Sequence, residues 1–274
     1  MSTPQIEYSS LSVKRCHGLG NVIMLLPVLT TLIEKGVRVH LVTQPQWVDT
    51  FQKLCPKLTV SDQCRPGTLD LDLATESLRP QSHRSKEFAE ALNIDAAVTF
   101  SHLQIRREWS EPFSQWKGAI GFAPEAGHNS RRWPVEYSRD LASILKGSPL
   151  ILLGTTFSPS IPNDLDTRGQ LNLQELLGLL KVLRLLICMD SGMLHLGAAI
   201  GIPTIAIFGG IDPRFRILED QRVVALQADM DCCPCNKQET CGESYDCIKA
   251  ITPQAVLDVV EICLSTTTRV IHRI

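Results

Sequence analysis

Asp190-Ser-Gly-Met-Leu-His195-Leu-Gly-Ala-Ala-Ile-Gly201-Ile-Pro203-Thr-Ile-Ala-Ile-Phe208-Gly209-Gly210 is the most informative run of the sequence. It follows an apolar stretch, Leu185 to Met189, that suits a buried strand, and it contains a second, Thr204 to Phe208. Between them the pattern predicts a helix from Gly192 to Ile200. Strand, tight turn, helix and return strand make the unit from which parallel sheets are built. The free N–H groups of Ser191, Gly192 and Met193 and the helix dipole favour an anion at that turn. Ser191 adds a hydroxyl. His195, one turn in, can donate to a phosphate oxygen. Taken singly these residues have plainer readings, Asp190 and Ser191 as helix caps and His195 as a core histidine.

The same alternation extends in both directions. Strands are expected at Leu11 to Arg15, Val37 to Val42, Leu58 to Val60, Leu69 to Leu73 and Ile94 to Phe100. Helices are expected at Asn21 to Lys35, with Pro27 inside, and at Arg84 to Leu92. After the aperiodic, charged and aromatic stretch Arg106 to Trp116, a second series begins. It runs as strand Gly118 to Phe122, helix Val135 to Lys146, strand Leu150 to Leu153, helix Leu173 to Leu180 and the run quoted above. Strand Arg222 to Leu226 and helix Pro253 to Leu264 complete it. The reading is α/β, with two Rossmann-like domains, residues 1–110 and 111–274, facing across a cleft. Ligands are expected at the carboxyl ends of the strands.

Composition bounds the function. Of 274 residues, 44% are apolar and 20% charged, enough for a packed core and unlike a disordered chain. Lysine plus arginine is 27 and aspartate plus glutamate 29, so no overall basic field draws the chain to nucleic acid. The N-terminus lacks a basic start followed by an apolar run, and the longest apolar stretch carries His195, Pro203 and glycines. A cytoplasmic protein without a signal peptide or membrane span is expected. The ten cysteines are then expected as reduced thiols or metal ligands. Five of them fall within sixteen residues, as Cys232-Cys-Pro-Cys235 followed by Cys241 and Cys247. Cys232, Cys235, Cys241 and Cys247 could set four thiolates around one structural zinc or iron, leaving Cys233 spare. The alternative is a reduced loop without metal.

The long pattern Asp-Ser-Gly, two residues, His, Ala-Ala, Gly, Pro, Phe-Gly resembles the donor-half signature of glycosyltransferase family 9, the lipopolysaccharide heptosyltransferase-like family. Phe122-Ala-Pro-Glu-Ala-Gly-His-Asn-Ser-Arg131-Arg132-Trp133-Pro134 resembles the family's loop of a basic residue, one residue and Trp-Pro. Asp166 to Leu176 and Gly18-Leu-Gly20-Asn21, with Leu26-Pro27, resemble further family elements. The resemblance implies the GT-B fold, with an acceptor bound by the first domain and a nucleotide diphosphate sugar by the second. It implies that Arg131, Asp190, Ser191, Gly192 and His195 hold the donor, that the acceptor is a glycan or other hydroxyl compound, protein included, and that transfer is inverting without a metal at the reaction centre. Contact with a membrane would come only through the acceptor.

One position departs from the family. The proposed general base is an aspartate directly after the N-terminal glycine, and here it is Asn21. An amide cannot take a proton, and losing a general base costs on the order of 100- to 10,000-fold in rate. His17 or another carboxylate could serve instead, Asn21 could orient the acceptor while a more acidic nucleophile or a water does the rest, or the protein could be a scaffold or sensor that binds nucleotide sugars without transferring them.

Overall fold

The computed structural model describes residues 9–76, 82–94, 102–154, 159–236, 241 and 244–274. The chain divides into two compact units, Met1–Ser101 and His102–Ile274. Residues from His102 onward pack on the second unit. The Leu103 N–H donates to Ala199 O at 2.7 Å, and the Trp109 backbone lies against Gly178 of the helix Leu173–Val182. A Cβ added at Gly178 would stand 1.8 Å from Trp109 O, so only glycine allows this approach.

The first unit holds four parallel strands, β1 (Ser10–Lys14), β2 (Arg38–Val42), β3 (Thr59–Ser61) and β4 (Leu69–Asp70), in the order β3-β2-β1-β4. The helix Leu19–Glu34 crosses from β1 to β2 and buries Val22, Leu25, Leu26, Leu29 and Leu32, the stripe its spacing predicts. Pro27 sits inside this helix. A helix at Pro45–Leu54, unmarked by the sequence pattern, connects β2 to β3.

The strand expected at Leu69 to Leu73 is corrected: pairing ends at Asp70, and Leu71–Glu76 is helical. The alternating Leu-Asp-Leu-Asp-Leu run imitates a strand. Asp70 Oδ1 instead accepts the N–H groups of Asp72 (2.9 Å) and Leu73 (3.2 Å), the capping habit that turns a strand end into a helix start. The strand expected at Ile94 to Phe100 lies, beyond Ile94, outside the described residues.

The second unit holds seven parallel strands: β5 (Ile120–Ala123), β6 (Leu150–Leu152), β7 (Leu165–Asp166), β8 (Leu185–Met189), β9 (Thr204–Phe208), β10 (Val223–Gln227) and β11 (Val270–Arg273). Their order is β11-β10-β9-β8-β5-β6-β7. Every residue of β5, β6, β8, β9 and β10 is buried, which is why they read as unbroken apolar runs rather than alternating ones. Burying each large aliphatic or aromatic side chain contributes about 1.5–3 kcal/mol. The helix expected at Pro253 to Leu264 is two, Pro253–Asp258 and Val260–Ser265, divided at Val259, where φ is −103° and ψ 3°. The short strands β7 and β11 were not visible in the sequence pattern.

From β5 the chain runs outward to β6 and β7, then returns to β8 and runs the other way. The direction of winding reverses between β5 and β8, and in the first unit between β1 and β4. Such reversals part the loops at the carboxyl ends of the strands and open a crevice there.

Gly178→Ala should lower the stability of the folded chain by about 1–3 kcal/mol, the usual cost of overpacking. Urea unfolding of the two proteins checks it, and an unchanged midpoint would show that the Trp109 segment is not packed as described.

Candidate functional site

In the second unit, the loops after β5 and β8 bring together the donor residues expected from sequence. β8 delivers Asp190, which is 1% exposed, and its N–H is held by Ile207 O at 3.1 Å. Ser191 is the N-cap of the helix Gly192–Ile200, its Oγ accepting the Met193 N–H at 3.3 Å. Gly192 is the first helical residue, and His195 lies one turn along the helix, buried.

Arg131 ends the 3-10 turn Asn129–Arg131. Its Nη1 donates to Asp190 O at 3.1 Å and stands 3.5 Å from Asp190 Oδ2. Four contacts set the loop that carries it. The indole of Trp133 donates to Ile251 O at 2.7 Å and meets the Tyr137 ring edge-on at 5.7 Å. Arg132 Nε donates to Ala126 O at 3.1 Å, so this neighbouring guanidinium is spent on the loop itself. Ser130 O approaches Gly209 so closely that a Cβ there would stand 2.6 Å away.

A residue not singled out from sequence joins them. Arg216, 7% exposed, places Nε 3.7 Å from Asp190 Oδ1, opposite Arg131. Nothing in the linear pattern marks it. It lies just past the 3-10 turn Pro213–Phe215 of the loop that follows β9. Gln227 fixes that loop from β10: its Nε2 donates to Gly209 O (2.7 Å) and Ile211 O (2.8 Å).

Burial, then the charges of Arg216 and Arg131, push the His195 pKa down to about 3. Its imidazole is therefore neutral at ordinary pH and carries one N–H to give. Asp190 Oδ1 and Arg131 Nε are buried with no hydrogen-bond partner among the described residues. Farther along the sheet, Arg168 clasps Asp166 (Nη2 to Oδ2, 2.6 Å) and faces Glu125 at 3.8 Å.

In the first unit, the loop after β1 carries the two expected catalytic candidates. Gly18, with φ 75°, starts the helix Leu19–Glu34, and Asn21 Nδ2 donates to His17 O at 3.1 Å. The His17 side chain is exposed. Asp72, on the far side of the winding reversal, organises this loop and was also missed from sequence. Its Oδ1 accepts the N–H groups of Cys16 (3.2 Å) and His17 (3.0 Å), and Arg15 Nη1 stands 3.2 Å from it. Lys14 pairs with Asp70 at 2.8 Å alongside. Asp72 is thereby occupied as a scaffold for the His17 loop.

The thiols are arranged differently from the expectation. Among the described residues, no group of three or more His, Cys, Asp or Glu side chains is placed to hold a metal ion. Cys232 and Cys241 are exposed, Cys235 is half-buried and Cys247 is buried. Cys233, left spare in the sequence reading, has its thiol 3.5 Å from Gly209 O and hydrogen-bonds with Cys247. That bond, with N–H groups at the start of the helix Asp246–Lys249, lowers the Cys247 pKa and raises that of Cys233. Among the described residues, Cys232, Cys235, Cys241 and Cys247 are not gathered around one point.

Residues 82–246, more than half of the chain, match the sequence model of Glycosyltransferase family 9 (heptosyltransferase). The chain belongs to that family. Lipooligosaccharide heptosyltransferase 2 of Haemophilus influenzae is 26% identical over 156 residues, covering 51% of this chain and 45% of the relative. Lipopolysaccharide heptosyltransferase 1 of Pseudomonas aeruginosa is 31% identical over 164 residues, covering 56% and 46%. The chain spans about half the length of the curated relatives it matches. In fold it is similar to a family 9 glycosyl transferase from Veillonella parvula, with a TM-score of 0.75 at 18% identity over 96% of this chain and 99% of that one. It is also similar to the ADP-heptose lps heptosyltransferase II of Escherichia coli, with a TM-score of 0.64 at 15% identity over 93% and 98%. The fold is accordingly the GT-B arrangement of two Rossmann-like domains. No helix among the described residues is long and apolar enough to cross a membrane.

The His195 shift makes stability depend on pH. Above about 6.5 the imidazole is neutral folded or unfolded, and its contribution is fully present. As pH falls toward 3 only the unfolded chain takes the proton, so stability drops by roughly 1 kcal/mol per unit. Denaturant melts between pH 7 and 5 should show this slope and a flatter one for His195→Gln; identical slopes would contradict a buried neutral histidine.

Proposed function

We propose that this family 9 protein is a heptosyltransferase-like glycosyltransferase, moving a sugar from a nucleotide diphosphate sugar to a hydroxyl of a glycan acceptor with inversion. The observation that carries the reading is the helix start at Ser191 and Gly192 with Arg131 laid across Asp190. Free N–H groups, a guanidinium and a neutral imidazole N–H suit a diphosphate. An ADP-sugar of the heptose type is the favoured donor, supported by the curated relatives' names and by the E. coli enzyme whose substrate is ADP-heptose.

In this reading the acceptor oxygen attacks the anomeric carbon as its bond to the diphosphate breaks. Charge grows on the departing phosphate oxygen, where Arg131 and the helix start stabilise it most. The acceptor proton passes to His17, an exposed imidazole in the loop that Asn21 also touches. Asn21 orients the acceptor. The site of action is the cytoplasm, where nucleotide sugars are made. A structural zinc or iron at the thiol loop would require the four thiolates to be drawn together on binding. Metal analysis of reductively purified protein tests that separately, and a stoichiometric ion would show that they are.

Calorimetric titration with ADP, UDP and GDP should give tight binding of one nucleotide, ADP foremost, weakened about 10- to 100-fold by Arg131→Ala. No binding of any of them would move the reading to a non-binding scaffold. His17→Ala should lower kcat at least ~100-fold with ADP affinity unchanged. If Asn21→Asp instead creates transfer that the natural chain lacks, the protein is a sensor with a decayed centre.

A further inference from the structure

We infer that Asn21 is a positioning residue for His17: its amide, with Asp72 and Gln44, clamps the Cys16–His17 backbone, a task that an aspartate at this place cannot perform. This rests on the reading above that His17 takes the acceptor proton.

All four backbone polar groups of Cys16 and His17 are bound by side chains. The Cys16 N–H donates to Asp72 Oδ1 at 3.2 Å and Oδ2 at 3.1 Å, and the His17 N–H to Asp72 Oδ1 at 3.0 Å. The two carbonyls are held by amides. Gln44 Nε2 donates to Cys16 O at 2.7 Å, and Asn21 Nδ2 to His17 O at 3.1 Å. The three side chains come from three places in the first unit. Asn21 lies on the helix after β1, Gln44 caps the helix after β2, and Asp72 lies on the helix after β4. His17 is exposed, so water could have satisfied its peptide groups. Side chains hold them instead, and this sets the direction in which the imidazole leaves the backbone.

The last of these contacts calls for an amide. Its acceptor is a carbonyl oxygen, so the partner must donate, and an ionised aspartate has only acceptors. A carboxylate oxygen in place of Nδ2 would face His17 O with charge of the same sign. Gly18 keeps one side of the amide clear, since a Cβ there would lie 3.2 Å from Asn21 Nδ2. The helix dipole argues the other way. Asn21 lies in the first turn of the helix Leu19–Glu34, where a carboxylate is ordinarily favoured, yet that turn carries no acidic residue. The amide at this position is explained by what it donates to. Asn21→Asp gains with the dipole while it loses at His17 O, so it loosens the loop more than it weakens the fold.

The test compares the full-length natural chain with Asn21→Asp and Asn21→Ala. Hydrogen exchange of the His17 amide is followed by NMR. ADP release from ADP-heptose, with water as the acceptor, gives kcat and KM. Asn21→Asp should speed His17 exchange at least ~3-fold, the effect of losing one ordinary hydrogen bond. It should lower kcat at least ~10-fold, because a small misplacement of a reacting group is costly, and leave KM unchanged. Asn21→Ala loses the donor without adding a repelling charge, and should fall between Asn21→Asp and the natural chain in both readouts. Unchanged His17 exchange in Asn21→Asp, or a kcat that is unchanged or raised, overturns the inference. If the natural chain releases no ADP, the exchange rates alone decide the clamp. Equal release after His17→Ala overturns the reading of His17 as the base, and the exchange rates again decide the clamp.

Discussion

Everything proposed for the second unit depends on one buried carboxylate. Asp190 leaves the end of β8 with almost no exposure and faces a guanidinium on each side. A lone buried charge would be expelled or neutralised; flanked by two cations it stays ionised and holds them in place. The helix start at Ser191, with the Arg131 guanidinium beside it, has the chemistry that suits an anionic ligand.

The sheet explains why these groups meet. In both units the winding reverses beside the first strand, between β5 and β8 and between β1 and β4. The loops on either side of each reversal carry the polar groups. In the second unit they bring Arg131 to Asp190; in the first, Asp72 holds the Cys16–His17 backbone that presents His17 and Asn21. The same carboxylate logic serves two ends. Asp190 stands between two guanidiniums at the end of β8, whereas Asp72 accepts backbone N–H groups and acts as a strut.

Much of this was legible in the sequence because buried parallel strands write themselves as apolar runs. β8, β9 and the helix between them fall where the pattern placed them. Ser191, Gly192 and His195 stand out in the sequence because they sit in a compact motif at a strand end, and Arg131 because its loop ends in Trp133-Pro134. Arg216 was not, since its partner Asp190 is distant in sequence and its own segment has no period or motif. Asp72 was hidden in an alternating Leu-Asp run that looks like a strand, and only the capping bonds of Asp70 show otherwise. The pairing of Cys233 with Cys247 was equally hidden, because spacing alone suggests partners for Cys247 without saying which thiol reaches it.

The ligand proposed for the second unit is two linked phosphates, rather than a nucleoside or a single phosphate. Parallel calorimetric titrations of the natural protein with AMP and ADP, at one pH and one salt concentration, address that point most directly. The account predicts that ADP binds at least ~10-fold more tightly than AMP, the worth of an added charge-assisted contact. Equal affinities would mean that Arg131 and the helix start at Ser191 do not receive the diphosphate, and would contradict the account at its centre.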